Sequence, residues 1–144
     1  MSVNGKMYDW EDLSVNLPQG VAINITAISY SDSQPITARY GKGGVAHGYG
    51  TGNYEASGSM TIDLEEWERL TPHLGSTIYD HDPFPITASY ANSGKATVTD
   101  KLPAIKITKV STSNSQGSEN AGAKDIEFSC IKPINYGGKP AKRK

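Results

Sequence analysis

The sequence is poor in the residues on which most enzymes and secreted scaffolds depend. It has one cysteine in 144 residues, so no internal disulfide can form. Cys130 lies in the apolar run Ile126-Glu127-Phe128-Ser129-Cys130-Ile131, where a small buried hydrophobe is expected. The three histidines, His47, His73 and His81, are far apart in the chain. Neither sign of charge prevails: the formal net charge is −1, which removes the bulk electrostatic footprint of a nucleic-acid or anionic-membrane binder. No run approaches the roughly 18 apolar residues of a membrane span, so no membrane insertion is expected. The first twenty residues lack the apolar centre of a secretory signal, which predicts a chain made and folded in a cytoplasm. Apolar side chains make up only 36%, and the 15 glycines bring the total into the ordinary range. The length fits one domain, 1–144, able to bury about two-thirds of the surface its unfolded form exposes.

Catalytic signatures are equally scarce. Gly41-Lys42-Gly43-Gly44 invites a phosphate-loop reading, but that loop needs its lysine after the last glycine and a helix behind it. Here Lys42 follows the first glycine and a strand-like run comes next; Gly41, Gly43 and Ala46 fail as a dinucleotide fingerprint on the same ground. Asp80-His81-Asp82 offers hard metal ligands, yet in a proline-rich turn it reads more simply as solvated turn residues. No nucleophile elbow and no paired carboxylates in an obvious pocket are present. Neither an enzyme nor a bound cofactor is expected.

What is present is strand and turn chemistry. Thr, Ser, Gly and Ile dominate over Leu. Asn4-Gly5 is a hairpin signal. Residues 21–31 alternate with period two, which predicts one strand with Val21, Ile23, Ile25 and Ala27 on a single face. Strands are also expected at 96–99 and 104–110, on either side of Leu102-Pro103, and a closing strand at 124–134. Pro35-Ile36-Thr37-Ala38-Arg39-Tyr40 is echoed by Pro85-Ile86-Thr87-Ala88-Ser89-Tyr90, which suggests two strands in similar surroundings. Residues 41–52 and 112–123 read as long loops, and 137–144 as a short basic tail.

The stretch 39–70 organises the rest. A Gly-rich loop carrying Tyr40 and Tyr49 is followed by a half-buried strand at 53–62, in which Gly58 suggests close approach of another backbone or a bulge. A short helix then opens at Asp63 with Glu66 three residues later, in the manner of a capping box. Leu64, Trp67 and Leu70 mark its buried face, and Glu65, Glu66 and Glu68 lie in its first turns, where the helix dipole favours acids. Tyrosines among glycines suit an interface better than an active site.

These residues resemble a known family. Arg39-Tyr40-Gly41-x-Gly43-Gly44, then Gly48-Tyr49-Gly50-Thr51-Gly52-Asn53-Tyr54-Glu55-Ala56-Ser57-Gly58-Ser59-Met60-Thr61, then the acidic helix, look like the tail-tube proteins of bacteriophages, especially contractile-tail ones. The resemblance implies a mainly β fold: a small β-sandwich or open β-barrel with one short flanking helix and long loops. It implies six subunits closing a ring with a continuous inner β-barrel, and rings stacking into a tube through which DNA passes without specific binding. Partners would be the tail sheath, a baseplate or tube initiator and a tail terminator, in a virion tail assembled in the host cytoplasm. Tyr40, Gly41, Lys42, Gly43, Gly44, His47, Tyr49, Asn53 and Tyr54 would make contacts between subunits or rings, and Glu65, Glu66 and Glu68 would face a sheath or neighbour. The strands around 20–31, 53–62 and 104–110 are candidates for the channel wall. Family channels tend to be acidic or neutral, so Lys106 and Lys109 sit uneasily there. The alternative is a stand-alone β-sandwich binding module, for carbohydrate or another phage protein, using Tyr8, Trp10 and Tyr49 as a platform.

Overall fold

A computed structural model describes residues 8–92, 96–117 and 121–142. The Asn4-Gly5 hairpin, Ser93-Gly94, Arg143 and Lys144 lie outside the described residues. The fold is mainly β, with antiparallel pairing throughout. After a 3-10 turn at Trp10–Asp12 come β1 (Leu13–Leu17), β2 (Gly20–Val21), β3 (Ile25–Ser33), β4 (Ile36–Tyr40), β5 (Ala46–Thr51) and β6 (Glu55–Ile62). Helix α1 (Leu64–Leu70) runs into a 3-10 turn at Thr71–Leu74, and β7 (Phe84–Tyr90), β8 (Val98–Ser113), β9 (Ala123–Cys130), β10 (Asn135–Tyr136) and β11 (Lys139–Pro140) complete the chain.

Seven strands form one path in the order β2-β1-β7-β8-β9-β6-β3, with β10 and β11 added beside β8. β2 and β3 stand at opposite ends of that path, yet only residues 22–24 separate them in sequence. Four residue steps span at most roughly 14 Å, so the two ends must curl towards each other. Across the curl, the Tyr30 hydroxyl of β3 bonds to Asp100 of β8 and to the Tyr90 hydroxyl of β7 at 3.3 Å. The result is an open barrel flattened into a sandwich.

This corner overturns the single strand expected at 21–31. The chain leaves β2 and re-enters the sheet as β3 on the other edge. Ala22 turns inward while Val21 and Ile23 are exposed. The Ala22 N–H donates to the Val15 carbonyl at 2.8 Å, and the Asp63 N–H donates to the Asn24 carbonyl at 3.0 Å. The link is thereby tied to β1 on one side and to the start of α1 on the other.

Apart from that corner and an irregularity in β8, the interior follows the period-two pattern. Ala56, Met60 and Ile62 of β6, Ile86 and Ala88 of β7, Leu102, Ile105 and Ile107 of β8, and Ile126 and Phe128 of β9 are all buried. Fully burying one such aliphatic side chain contributes about 1.5–3 kcal/mol. Gly58 sits among them for a steric reason: a Cβ there would lie 2.4 Å from the Ser29 carbonyl oxygen and 2.7 Å from the Phe128 ring. Trp67, Leu70 and Leu74 cap the core, whereas Leu64, expected on the same face, is partly exposed.

β8 is one strand of 16 residues, not two. Pro103 does not break it, because it falls in an irregularity between the pairs Phe84↔Ile105 and Ile86↔Leu102. On the other flank, pairing to β10 covers Asp100 and Lys101 and pairing to β9 begins at Ile105, so no ladder bond requires an N–H at position 103. The closing strand is likewise shorter than expected. β9 ends at Cys130, and Lys139 and Pro140 of the basic segment form β11, paired with β10 so that Tyr136 lies opposite Lys139. The loop expected at 112–123 is shortened too, since Thr112, Ser113 and Ala123 belong to the β8–β9 ladder.

Candidate functional site

The Gly-rich segment is an ordered hairpin, not the loop 41–52 expected from sequence. β4 and β5 pair only with each other, as a separate two-stranded ribbon. Gly43 and Gly44, with φ of 106° and 76°, make the turn between them. At the base, the Gly52 N–H donates to the Pro35 carbonyl at 2.7 Å. Strand pairing went unseen in the sequence because Gly48 and Gly50 interrupt the side-chain alternation of β5, leaving only the backbone to define it.

The register gives this arm two unlike faces. Ile36 lies opposite Thr51, and Ala38 opposite Tyr49, so these four share a face with Tyr40. Thr37, Arg39, Gly48 and Gly50 share the other. The apolar face is uncovered: Ile36 is 67% exposed, Tyr40 68% and Tyr49 69%, and Val45 at the turn is 70% exposed. Lys42, Gly41, Gly43 and Gly44 form or flank the turn, and His47 is exposed on β5 with its ring where a Cβ on Gly41 would have to be. A two-stranded ribbon is marginal in water by itself, so this face invites a covering surface.

Asn53 and Tyr54 join the arm to β6. Asn53 is exposed, but the Tyr54 hydroxyl is engaged within the body. It donates to Asp32 at 2.6 Å and accepts from the Ile134 N–H at 3.2 Å, while Tyr136 donates to the same Asp32 at 2.8 Å. Burial and the adjacent Asp32 push the Tyr54 phenol up to about 12. Tyr30 is raised as well, by burial first and then by Asp100. Sequence reasoning missed this tyrosine–aspartate network, since Asp32, Asp100 and Tyr136 are too far apart in the chain to signal one another.

The outer face of β3, β6, β9 and β8 is the second feature. Its cross-strand rows are Ser31–Ser57–Ser129–Lys106 and Ser29–Ser59–Glu127–Lys109. Ser29 and Ser59 hydroxyls lie 3.1 Å apart, Thr61 donates to Asp125 at 2.7 Å, and Lys109 pairs with Glu127 at 3.6 Å. Lys106 turns aside to donate to the His81 carbonyl. Glu55, two residues before Ser57, shares this face, which is therefore rich in small hydroxyls with a modest acidic excess. At its border, β3 pairs with β6 alone, so its other edge is open among the described residues.

Helix α1 corrects one expectation directly. Glu65 and Glu68 are exposed, but Glu66 is 0% exposed. The Asp63 side chain makes no capping bond, so the capping box does not form. Glu66 instead accepts from the Ile23 N–H at 2.7 Å, the Asn24 N–H at 3.2 Å and the Gln19 amide at 3.0 Å, and pairs with Arg69 at 3.1 Å. It fastens the corner between β2 and β3. Burial alone raises its carboxyl, but the bonds from Gln19, Asn24 and Ile23 and the Arg69 charge outweigh that and hold it below the ordinary carboxylate value.

The remaining sequence candidates separate. His81 is buried: its Nε2 accepts from the Ile107 N–H at 3.1 Å, so its Nδ1 donates to the Asp82 carbonyl at 2.7 Å. Both ring nitrogens are thus engaged with backbone groups, one in β8 and one just before β7. Of the proposed aromatic platform, Tyr8 packs edge-on against Tyr90 and Trp10 precedes β1, while Tyr49 belongs to the separate arm. No helix among the described residues is long and apolar enough to cross a membrane.

No protein-family model matches the chain, and no curated protein matches its sequence. Solved structures do. A chain from the virion of a native gene transfer agent particle aligns with a TM-score of 0.61 at 15% identity, covering 90% of this chain and 98% of that one. A chain from the tube-terminating cap of the anti-feeding prophage gives 0.63 at 11%, covering 90% and 95%. A chain from the tail of an empty gene transfer agent particle, refined helically with C6 symmetry, gives 0.60 at 16%, covering 90% and 98%. At these identities the likeness is one of fold, and it spans nearly the whole of each chain.

Proposed function

We propose that this chain is a structural subunit of a phage-type tail tube: six copies close a ring, and rings stack into a hollow channel for delivery, without catalysis. The observation that carries this reading is the arm. It holds an apolar face of Ile36, Ala38, Tyr40 and Tyr49 clear of the body, as a segment does when another copy supplies its cover. Two further features support it. The open edge of β3 offers a neighbour's strand a ladder to join, which would remove the aggregation hazard of that edge. The hydroxyl-rich face of β3, β6, β9 and β8 suits a channel wall, because its modest acidic excess does not grip a passing polyanion. The similar chains come from tail, virion and tube-cap structures, one of them with C6 symmetry.

In this reading the arm reaches the next ring, and Glu65 and Glu68 lie away from the channel. A sheath, a tube initiator and a terminator are the neighbours, and the assembled tail of the particle, built in the host cytoplasm, is where the chain resides. Negative-stain microscopy and native mass spectrometry of the purified chain at rising concentration test it. Hexamers and stacked tubes are expected. Monomers at every concentration, even with a tail initiator added, would overturn the reading. Rings that never stack would favour a terminating cap over a tube.

A further inference from the structure

The folded-back C-terminal segment gathers positive charge. Lys101 of β8, Lys132 after β9, Lys139 of β11 and Lys142 line a groove of about 610 Å³ with Pro103 and Pro133 among its walls. All four lysines are exposed, and none meets a carboxylate of its own chain among the described residues. Four unpaired cations in one groove are a local excess in a chain of net charge −1.

The groove has a defined place. Tyr136, next to it on β10, bonds to Asp32 near the end of β3, and the arm departs from that same end. Helix α1 lies at the other end, where Glu66 holds residues 23 and 24 just before β3 begins. The nine residues of β3 separate these ends by roughly 26 Å. At the helix end, Asp63, Glu65 and Glu68 have no cation partner among the described residues; Arg69 is engaged by Glu66. Opposite charges so far apart on one copy cannot neutralise each other. They meet when copies are placed head to tail.

Building on the stacking reading above, we propose that the lysine groove is the docking site for the acidic face of α1, Glu65 and Glu68, of a second copy stacked end to end. Proline walls leave the groove apolar, and the lysine ammoniums act as point charges on carboxylates that arrive. Because groove and helix are different surfaces, the contact is head-to-tail and can repeat without end. It is also screened by salt: the Debye length falls from about 8 Å at physiological ionic strength to about 3 Å at 1 M.

A charge swap in the full chain tests this, read by sedimentation and negative stain, with circular dichroism and thermal melts confirming the fold. Lys132→Glu with Lys139→Glu and Lys142→Glu, which reverses the groove's charge, and separately Glu65→Lys with Glu68→Lys, should each raise the concentration needed for stacking at least tenfold. The chain carrying all five substitutions should stack again. In the wild type, 1 M salt should raise the same concentration several-fold. Wild-type tubes with unaffected groove and helix variants, or a chain with all five substitutions that stays unstacked while still folded, would overturn the docking alone. Loss of duplex-DNA retention by the lysine variant with its tubes intact would assign the groove to nucleic acid and overturn the proposal as well. A wild-type chain that never stacks removes the stacking reading itself, and this docking with it.

Discussion

Residues 35–40 and 85–90 spell nearly the same hexapeptide, Pro-Ile-Thr-Ala followed by Arg-Tyr or Ser-Tyr, and come to rest in opposite surroundings. In β7, Ile86 and Ala88 are fully buried, between β1 and β8. In β4, Ile36 and Ala38 share an apolar face with nothing over it. The alternation makes a strand in both places, so the local sequence dictates the backbone but not the burial. Burial is decided by neighbours, and β4 has only the glycine-interrupted β5 beside it. An apolar strand face that its own chain leaves bare is the reason to look for its cover on another copy.

The contrast can be broken most severely at the level of assembly. Deleting residues 43–50 should leave a subunit that melts near the wild-type temperature yet forms no stacks in negative stain. Normal tubes from that variant would end the claim that the arm is a joint. Next in size is a matched pair of truncations measured by urea unfolding. Ile86→Ala should lose about 2–5 kcal/mol, the ordinary cost of a cavity in a packed core. Ile36→Ala should change monomer stability by no more than about 0.5 kcal/mol. Equal losses would mean that the arm packs on its own body in solution.

The glycines extend the same comparison. Gly58→Ala should destabilise by about 1–3 kcal/mol, because its Cβ must displace the Ser29 carbonyl or the Phe128 ring. Gly48→Ala, in open space on the arm, should be neutral or stabilise slightly by restricting the unfolded chain. A pH series gives the smallest and most local effect. Glu66 has a depressed carboxyl in the fold, so its stabilisation is complete above its unfolded value of 4.5 and is lost as the pH falls below that through the folded value. Stability should therefore decline in that acid window. Glu66→Gln should be less stable at neutral pH by about 1–3 kcal/mol and should flatten the acid decline, while the arm deletion should leave the decline unchanged.

The body was more legible in the sequence than its fastenings. The strand carrying Met60 and Ile62, the alternation at Ile105 and Ile107, and the helix with Trp67 and Leu70 all declare themselves through side-chain period. The reading failed where period carried on through a change of direction: Val21 and Ile23 keep the beat of a strand while the chain turns from one edge of the sheet to the other. Position Glu66 misled for a related reason. An acid in the first turn of a helix usually serves the dipole, and its true partners, the N–H groups of Ile23 and Asn24, are more than 40 positions away. The lysine groove was invisible because Lys101 joins it only through the pairing of β10 with β8.

Strand β8 has a mechanical meaning. Its 16 residues extend for roughly 50 Å, beside β10 at one end of the barrel and along β9 towards the other. A pull applied between those two ends runs along the strand, and so loads the β8–β9 bonds in shear, many at once. A pull on the arm's turn loads β4 and β5 side by side along their length and leaves their cross-strand bonds largely unstressed. In a stack of the kind proposed, tension should therefore part the non-covalent cover of the arm's apolar face before it opens the spine, and leave each subunit folded.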